Sequence, residues 1–90
     1  MTTLFVRHRV QDYAQWREVY DSVAPMQKRA GVTAESVYQA VDDPADITVT
    51  HDFASAEEAK AFAESTELRD VMRKAGVLGV PTIWFTSKVQ

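Results

Sequence analysis

His8 and His51 are the only imidazoles in this chain of 90 residues, and cysteine is absent. Each stands in a stretch that alternates every second residue. His8 falls in LFVRHRV (4–10) in step with Leu4, Val6 and Val10. His51 falls in ITVTHDF (47–53) in step with Ile47, Val49 and Phe53. Period-two alternation sends such residues to one face of a strand. If the two strands pair about their centres, Leu4 faces Phe53, Val6 faces His51, His8 faces Val49 and Val10 faces Ile47. The histidines are then diagonal neighbours, roughly 7–8 Å apart at the backbone. Two imidazoles titrating near 6.5 in an apolar setting suit a phenol or enol, with His8 as candidate base and His51 as its hydrogen-bonding assistant. Tyr13, Trp16, Tyr20 and Phe62 would supply a flat wall against which an aromatic or polyketide-like substrate could bind. The plainer alternative makes each histidine a core residue satisfied by a tyrosine hydroxyl or by water. No metal is expected, because two histidines without a convergent carboxylate make an incomplete site.

The elements that must position these groups are legible in order. After the strand over 4–10, Asp12 and Gln15 read as a capping box. The stripe Tyr13, Trp16, Val19, Tyr20, Val23, Met26 and Ala30 then predicts a helix, kinked or divided at Pro25 and stopped by Gly31. A second strand covers 32–41 and a turn 42–46, where Asp42, Asp43 and Asp46 read as a solvated hairpin tip. The third strand is 47–53. Ser55 with Glu58 opens a helix containing Ala59, Phe62 and Ala63. Ser65 or Thr66 opens a further helical piece with Leu68, Val71 and Met72, and the last strand is 82–86. The order βαββαβ favours a ferredoxin-like α+β fold, a four-stranded antiparallel sheet in order 4-1-3-2 with helices on one face. One domain is expected over residues 1–90.

On the other face stand Phe5, Arg7, Arg9, Thr48, Thr50, Asp52 and Trp84, while Ile83 and Phe85 should lie under the helices. Large aromatics among charges predict an interface, with Arg7 over Trp84 and paired to Asp52. A short chain without disulfides has a marginal private core, so a homodimer through Phe5, Arg7, Asp52 and Trp84 is expected; a merely solvated face is the alternative.

These segments together carry a resemblance. LFVRHRV followed by DYAQW, then APM, GVTAESVY, ITVTHDF and GVLGVPTIWF, are similar to the dimeric α+β barrel superfamily. More narrowly, they resemble small bacterial proteins of the antibiotic-biosynthesis-monooxygenase-like group, some of them labelled cyclases. The resemblance implies two sheets packed back to back into a barrel and a ligand pocket between each sheet and its helices. Quinol monooxygenases of the group use no cofactor, since the reduced substrate itself activates oxygen; none is expected here. Haem-degrading relatives carry a polar residue on the first strand, a tryptophan on the third and a histidine on the second helix. His8 matches the first of these and nothing matches the other two.

The formal charge of −3 argues against nucleic-acid or anionic-membrane partners. The uncharged run 75–87 is too short to span a bilayer, and no start of secretory type is seen, so the expected compartment is the cytoplasm. No GxGxxG, P-loop, GxSxG or HExxH motif occurs. The expected function is a cofactor-independent monooxygenase or cyclase-type protein acting on an aromatic, quinol or polyketide-like molecule. The alternative is a non-catalytic small-molecule-binding or assembly protein.

Overall fold

A computed structural model describes residues 1–89. Alternation in the first segment yields β1 (Thr2–Val10), whose even-numbered residues are all buried. Asp12 caps α1 (Tyr13–Ser22) by accepting from the Ala14 amide, so the box with Gln15 does not close; the Gln15 amide instead donates to the Lys74 carbonyl. Pro25 divides the helix as its chemistry requires, falling in the first turn of α2 (Ala24–Arg29). Gly31, at φ 103, ends that helix. That positive φ calls for glycine, whereas the near neighbour of an added Cβ, the end of the Glu58 side chain, could swing aside.

β2 (Ala34–Ala40) and β3 (Asp43–Phe53) are joined by a tight turn at Val41–Asp42. α3 (Ala56–Ala63) and α4 (Thr66–Lys74) begin at Ser55 and Ser65, whose hydroxyls accept from the Glu58 and Leu68 amides. β4 (Val77–Ser87) completes an antiparallel sheet in the order β2-β3-β1-β4. The architecture is the expected α+β, ferredoxin-like one. Leu4, Val6, Ile47, Val49 and Phe53 from the sheet meet Trp16, Ala59, Phe62 and Leu68 from the helices to make the core.

The register differs from the expected one by two residues. Leu4 pairs with His51, Val6 with Val49 and His8 with Ile47. The shift has a physical cause. β1 starts at Thr2, ahead of its apolar run, and β3 starts at Asp43, so matching only the apolar runs misaligns the strands. Asp43 and Asp46 are therefore strand residues and not a solvated tip. Arg7 grips Asp46 with two hydrogen bonds of 2.6 and 3.0 Å, and Arg9 reaches Asp43 at 2.7 Å. These pairs lie on the helix-free face and form in this register. The expected Arg7–Asp52 pair is not formed. Asp52 accepts from the Thr3 hydroxyl at 2.6 Å, and Arg7 lies opposite Thr82 and not over Trp84. Trp84 instead stacks on Phe5, with ring centroids 5.1 Å apart and planes 8° from parallel.

β4 is longer than expected and irregular. Between Arg7–Thr82 and Arg9–Leu78 the pairing slips, with Gly79 at φ 70 inside the bulge. Ile83 and Phe85 do face the helix side, opposite Val6 and Leu4, but they remain 37 % and 39 % exposed. The helices bury β1 and β3 but cover this edge strand only in part, leaving a cleft between α4 and Val77, Pro81 and Ile83.

Candidate functional site

The even-numbered face of β1 and the odd-numbered face of β3 carry His8 and His51 beneath the helices. Parity alone dictated that, and the two-residue slip leaves it intact. It changes their separation. His8 lies opposite Ile47 and His51 opposite Leu4, four residues apart along the strands, or roughly 13 Å of backbone. The rings are therefore not diagonal neighbours. They stand at two ends of one cavity, with Val6 and Val49 as the floor between them.

α1 supplies the roof. Trp16 is buried and lies 5.8 Å from the His8 ring, while Tyr20 lies 6.3 Å from the His51 ring. Trp16 and Tyr20 stack at 4.9 Å, one helical turn apart, so the two histidines are bridged by a continuous aromatic surface. Of the four expected wall residues, these two line the cavity. Phe62 packs edge-on behind His51 at 5.2 Å, and Tyr13 extends the stack outward from Trp16 at 5.9 Å. Met26 and Gln27 from α2 and Leu68 and Met72 from α4 close the sides. Gln27, only 7 % exposed, escaped the sequence reading. It continues the stripe at the spacing Trp16, Tyr20, Val23, Gln27, and a polar residue on such a stripe was the available signal.

All four ring nitrogens of His8 and His51 are buried without a hydrogen-bond partner in the protein. The tyrosine that could have satisfied them is engaged elsewhere: the Tyr20 hydroxyl donates to the Glu35 carboxylate. Native proteins seldom leave such groups alone. Burial pushes both imidazoles down from 6.5 to about 4, against small opposing pulls from Asp46 on His8 and from Glu35 and Asp52 on His51. At neutral pH each ring is thus uncharged, offering one donor and one acceptor to whatever enters. No group of three or more potential metal-ligating side chains occurs among the described residues.

The low values have a consequence for stability. An unfolded chain takes up protons on its histidines near pH 6.5, whereas the folded one does so only near 4. Stability should be complete above pH 6.5 and fall as pH drops toward 4, by at most about 3 kcal/mol per ring. Urea melts between pH 7.5 and 4.5, mostly above the carboxylate range, measure it. His51→Leu should remove about half the slope.

The cavity itself measures about 40 Å³, room for water and little else. Beside it, between α1, α2 and β2, lies an open cleft of about 410 Å³ lined by Arg17, Lys28, Thr33 and Glu35. Tyr20 and Gln27 belong to both spaces and form the wall between them.

No family sequence profile and no curated protein matches the chain. Solved structures do. A candidate antibiotic biosynthesis monooxygenase from Bordetella bronchiseptica superposes with a TM-score of 0.84 at 16 % identity, over 99 % of this chain and 97 % of that one. A second such candidate, from Nitrosomonas europaea, gives 0.78 at 14 % identity over the whole of both chains. SnoaB, a cofactor-independent oxygenase from Streptomyces nogalater, gives 0.80 at 12 % identity over 99 % of this chain and 93 % of SnoaB. Identities so low carry architecture and not reaction, and the architecture agrees end to end: the chain has the fold of the antibiotic biosynthesis monooxygenases.

Proposed function

We propose that the protein is a cytoplasmic homodimer, one domain per chain, that binds an electron-rich aromatic between sheet and helices and oxygenates it without a cofactor. The observation that carries this reading is the pair of neutral, buried histidines whose nitrogens find no protein partner and face an aromatic roof. A planar ring on Val6 and Val49 would take a hydrogen bond at each end. His8 accepts from a phenolic or enolic hydroxyl, and His51 donates to an oxygen at the far side.

The chemistry asks little of the protein. For an anthrone-type methylene, R₂CH₂ + O₂ gives R₂C=O + H₂O. One oxygen atom enters the carbonyl, the other leaves in water, and the substrate supplies every electron. An imidazole titrating near 4 is a weak base, but the substrate hydroxyl becomes strongly acidic once the ring has passed an electron to oxygen. The histidine then takes the proton, the two radicals combine at carbon, and the resulting hydroperoxide loses water. Burial serves this sequence by keeping water from the reactive pair.

Oxygen-electrode assays with hydroquinones and anthrones test the proposal, with product identified by mass spectrometry in ¹⁸O₂. One labelled oxygen per ketone is the expected result. Binding by calorimetry without oxygen uptake would transfer the case to the non-catalytic alternative. Neither binding nor uptake would remove both.

A further inference from the structure

A cavity of about 40 Å³ cannot hold an aromatic ligand, whereas ligand pockets generally measure about 300–1,000 Å³. The cleft of about 410 Å³ has the right size but lies outside the wall, away from His8. Joined, the two make one site of suitable volume that reaches from solvent to both histidines. What separates them is Tyr20 and Gln27.

Tyr20 is held in the closed position by a specific bond. Its hydroxyl donates to Glu35, its ring stacks on Trp16 at 4.9 Å, and the Arg17 guanidinium stands 5.5 Å from the ring centre while also pairing with Asp21 at 3.0 Å. Gln27 is pinned in α2 and almost wholly buried, but Tyr20 is half-buried with its outer edge on the cleft. A χ1 rotation can carry the phenol into the cleft without moving the backbone. The space it leaves is a slot with three fixed features: the Trp16 face on one side, the His51 ring nearby, and the Glu35 carboxylate at the end where a hydroxyl had been.

We propose that Tyr20 is the gate of the binding site, and that Glu35, which latches it, selects the ligand by accepting the hydrogen bond of an incoming phenolic hydroxyl in Tyr20's place. The proposal rests on reading the cavity as a ligand pocket. It adds the access route and a specificity determinant. Glu35 accepts hydrogen bonds and repels anions, so a neutral phenol is favoured over a carboxylate of the same shape, even with Lys28 on the rim. The closed form also lowers apparent affinity, because a ligand must first break the latch.

Calorimetry and stopped-flow tryptophan fluorescence with 1-naphthol, naphthalene and 1-naphthoate test this. Tyr20→Ala should bind 1-naphthol at least tenfold more tightly than wild type. Adding Glu35→Ala should cut the preference for 1-naphthol over naphthalene several-fold, to what His8 alone sustains. Tyr20→Phe keeps the ring and the core but lacks the latch, and should speed association of 1-naphthol severalfold with little change in melting temperature. An unchanged rate in Tyr20→Phe, or tighter binding of 1-naphthoate than of 1-naphthol, overturns the gate. If binding needs His51 yet ignores both Tyr20 variants, the pocket stands and the gate falls. If 1-naphthol binds none of the proteins, both fall.

Discussion

Trp84→Glu should halve the sedimenting mass of the protein at micromolar concentration, from a dimer to a chain of 10.1 kDa. β4 is the reason. Leu78, Val80, Ile83, Trp84 and Phe85 are all more than a third exposed, and they occupy both faces of an edge strand. An open edge so apolar is what soluble proteins ordinarily cover or charge. The Phe5–Trp84 stack projects from the helix-free face, beside threonines and paired charges, with Leu78 further along the same face opposite Arg9. Packed against a second copy by a two-fold axis, it would be buried twice. A buried aromatic anchor is worth about 2–4 kcal/mol, and an uncompensated carboxylate in its place costs more. A wild type that sediments as a folded single chain would defeat the proposed interface.

His8→Ala and His51→Ala should each lower turnover by about 10²–10⁴-fold while leaving stability at pH 7 almost unchanged. Removing a buried imidazole loses ring packing against Trp16 or Phe62, a cost of about 1–3 kcal/mol. It also removes two polar atoms that no protein group satisfies, which returns a similar amount. The two nearly cancel. A histidine that merely completed the core would behave differently: its loss would cost the ring packing with no change in activity per folded molecule. Turnover measured alongside urea melts separates the cases. Full activity in both variants would end the catalytic assignment of these residues.

The sequence carried the fold because period-two and period-3.6 patterns are local, and so are the serine caps and the helix break at Pro25. It also carried the face on which both histidines lie, since parity survives any even slip in register. It did not carry the register itself. That depended on Thr2 and Asp43 joining strands whose apolar runs begin later, and the arginine–aspartate pairs that accompany it join residues 39 and 34 positions apart. Several readings failed with it: the closeness of the histidines, the Arg7–Asp52 pair, Arg7 over Trp84, and Asp43 and Asp46 as a solvated tip. The site was half legible. Trp16 and Tyr20 announced themselves as aromatics on one helical face, whereas Glu35 looked like any exposed strand residue until the fold brought the Tyr20 hydroxyl to it.

The position of β1 has a further consequence, for the order of assembly. It is the first strand made and yet a central one, and both neighbours arrive late: β3 pairs it from Asp46 onward, and β4 joins Thr2 to Ser87. Both pairings of β1 therefore close long loops, and only the β2–β3 hairpin is local, which slows folding relative to a chain built of local contacts. During synthesis the β2–β3 hairpin and the helices can form early, while one edge of β1 stays bare until the last strand has left the ribosome. Phe5 lies on that strand. The interval before β4 docks is when the nascent chain is most open to mispairing with another copy of itself.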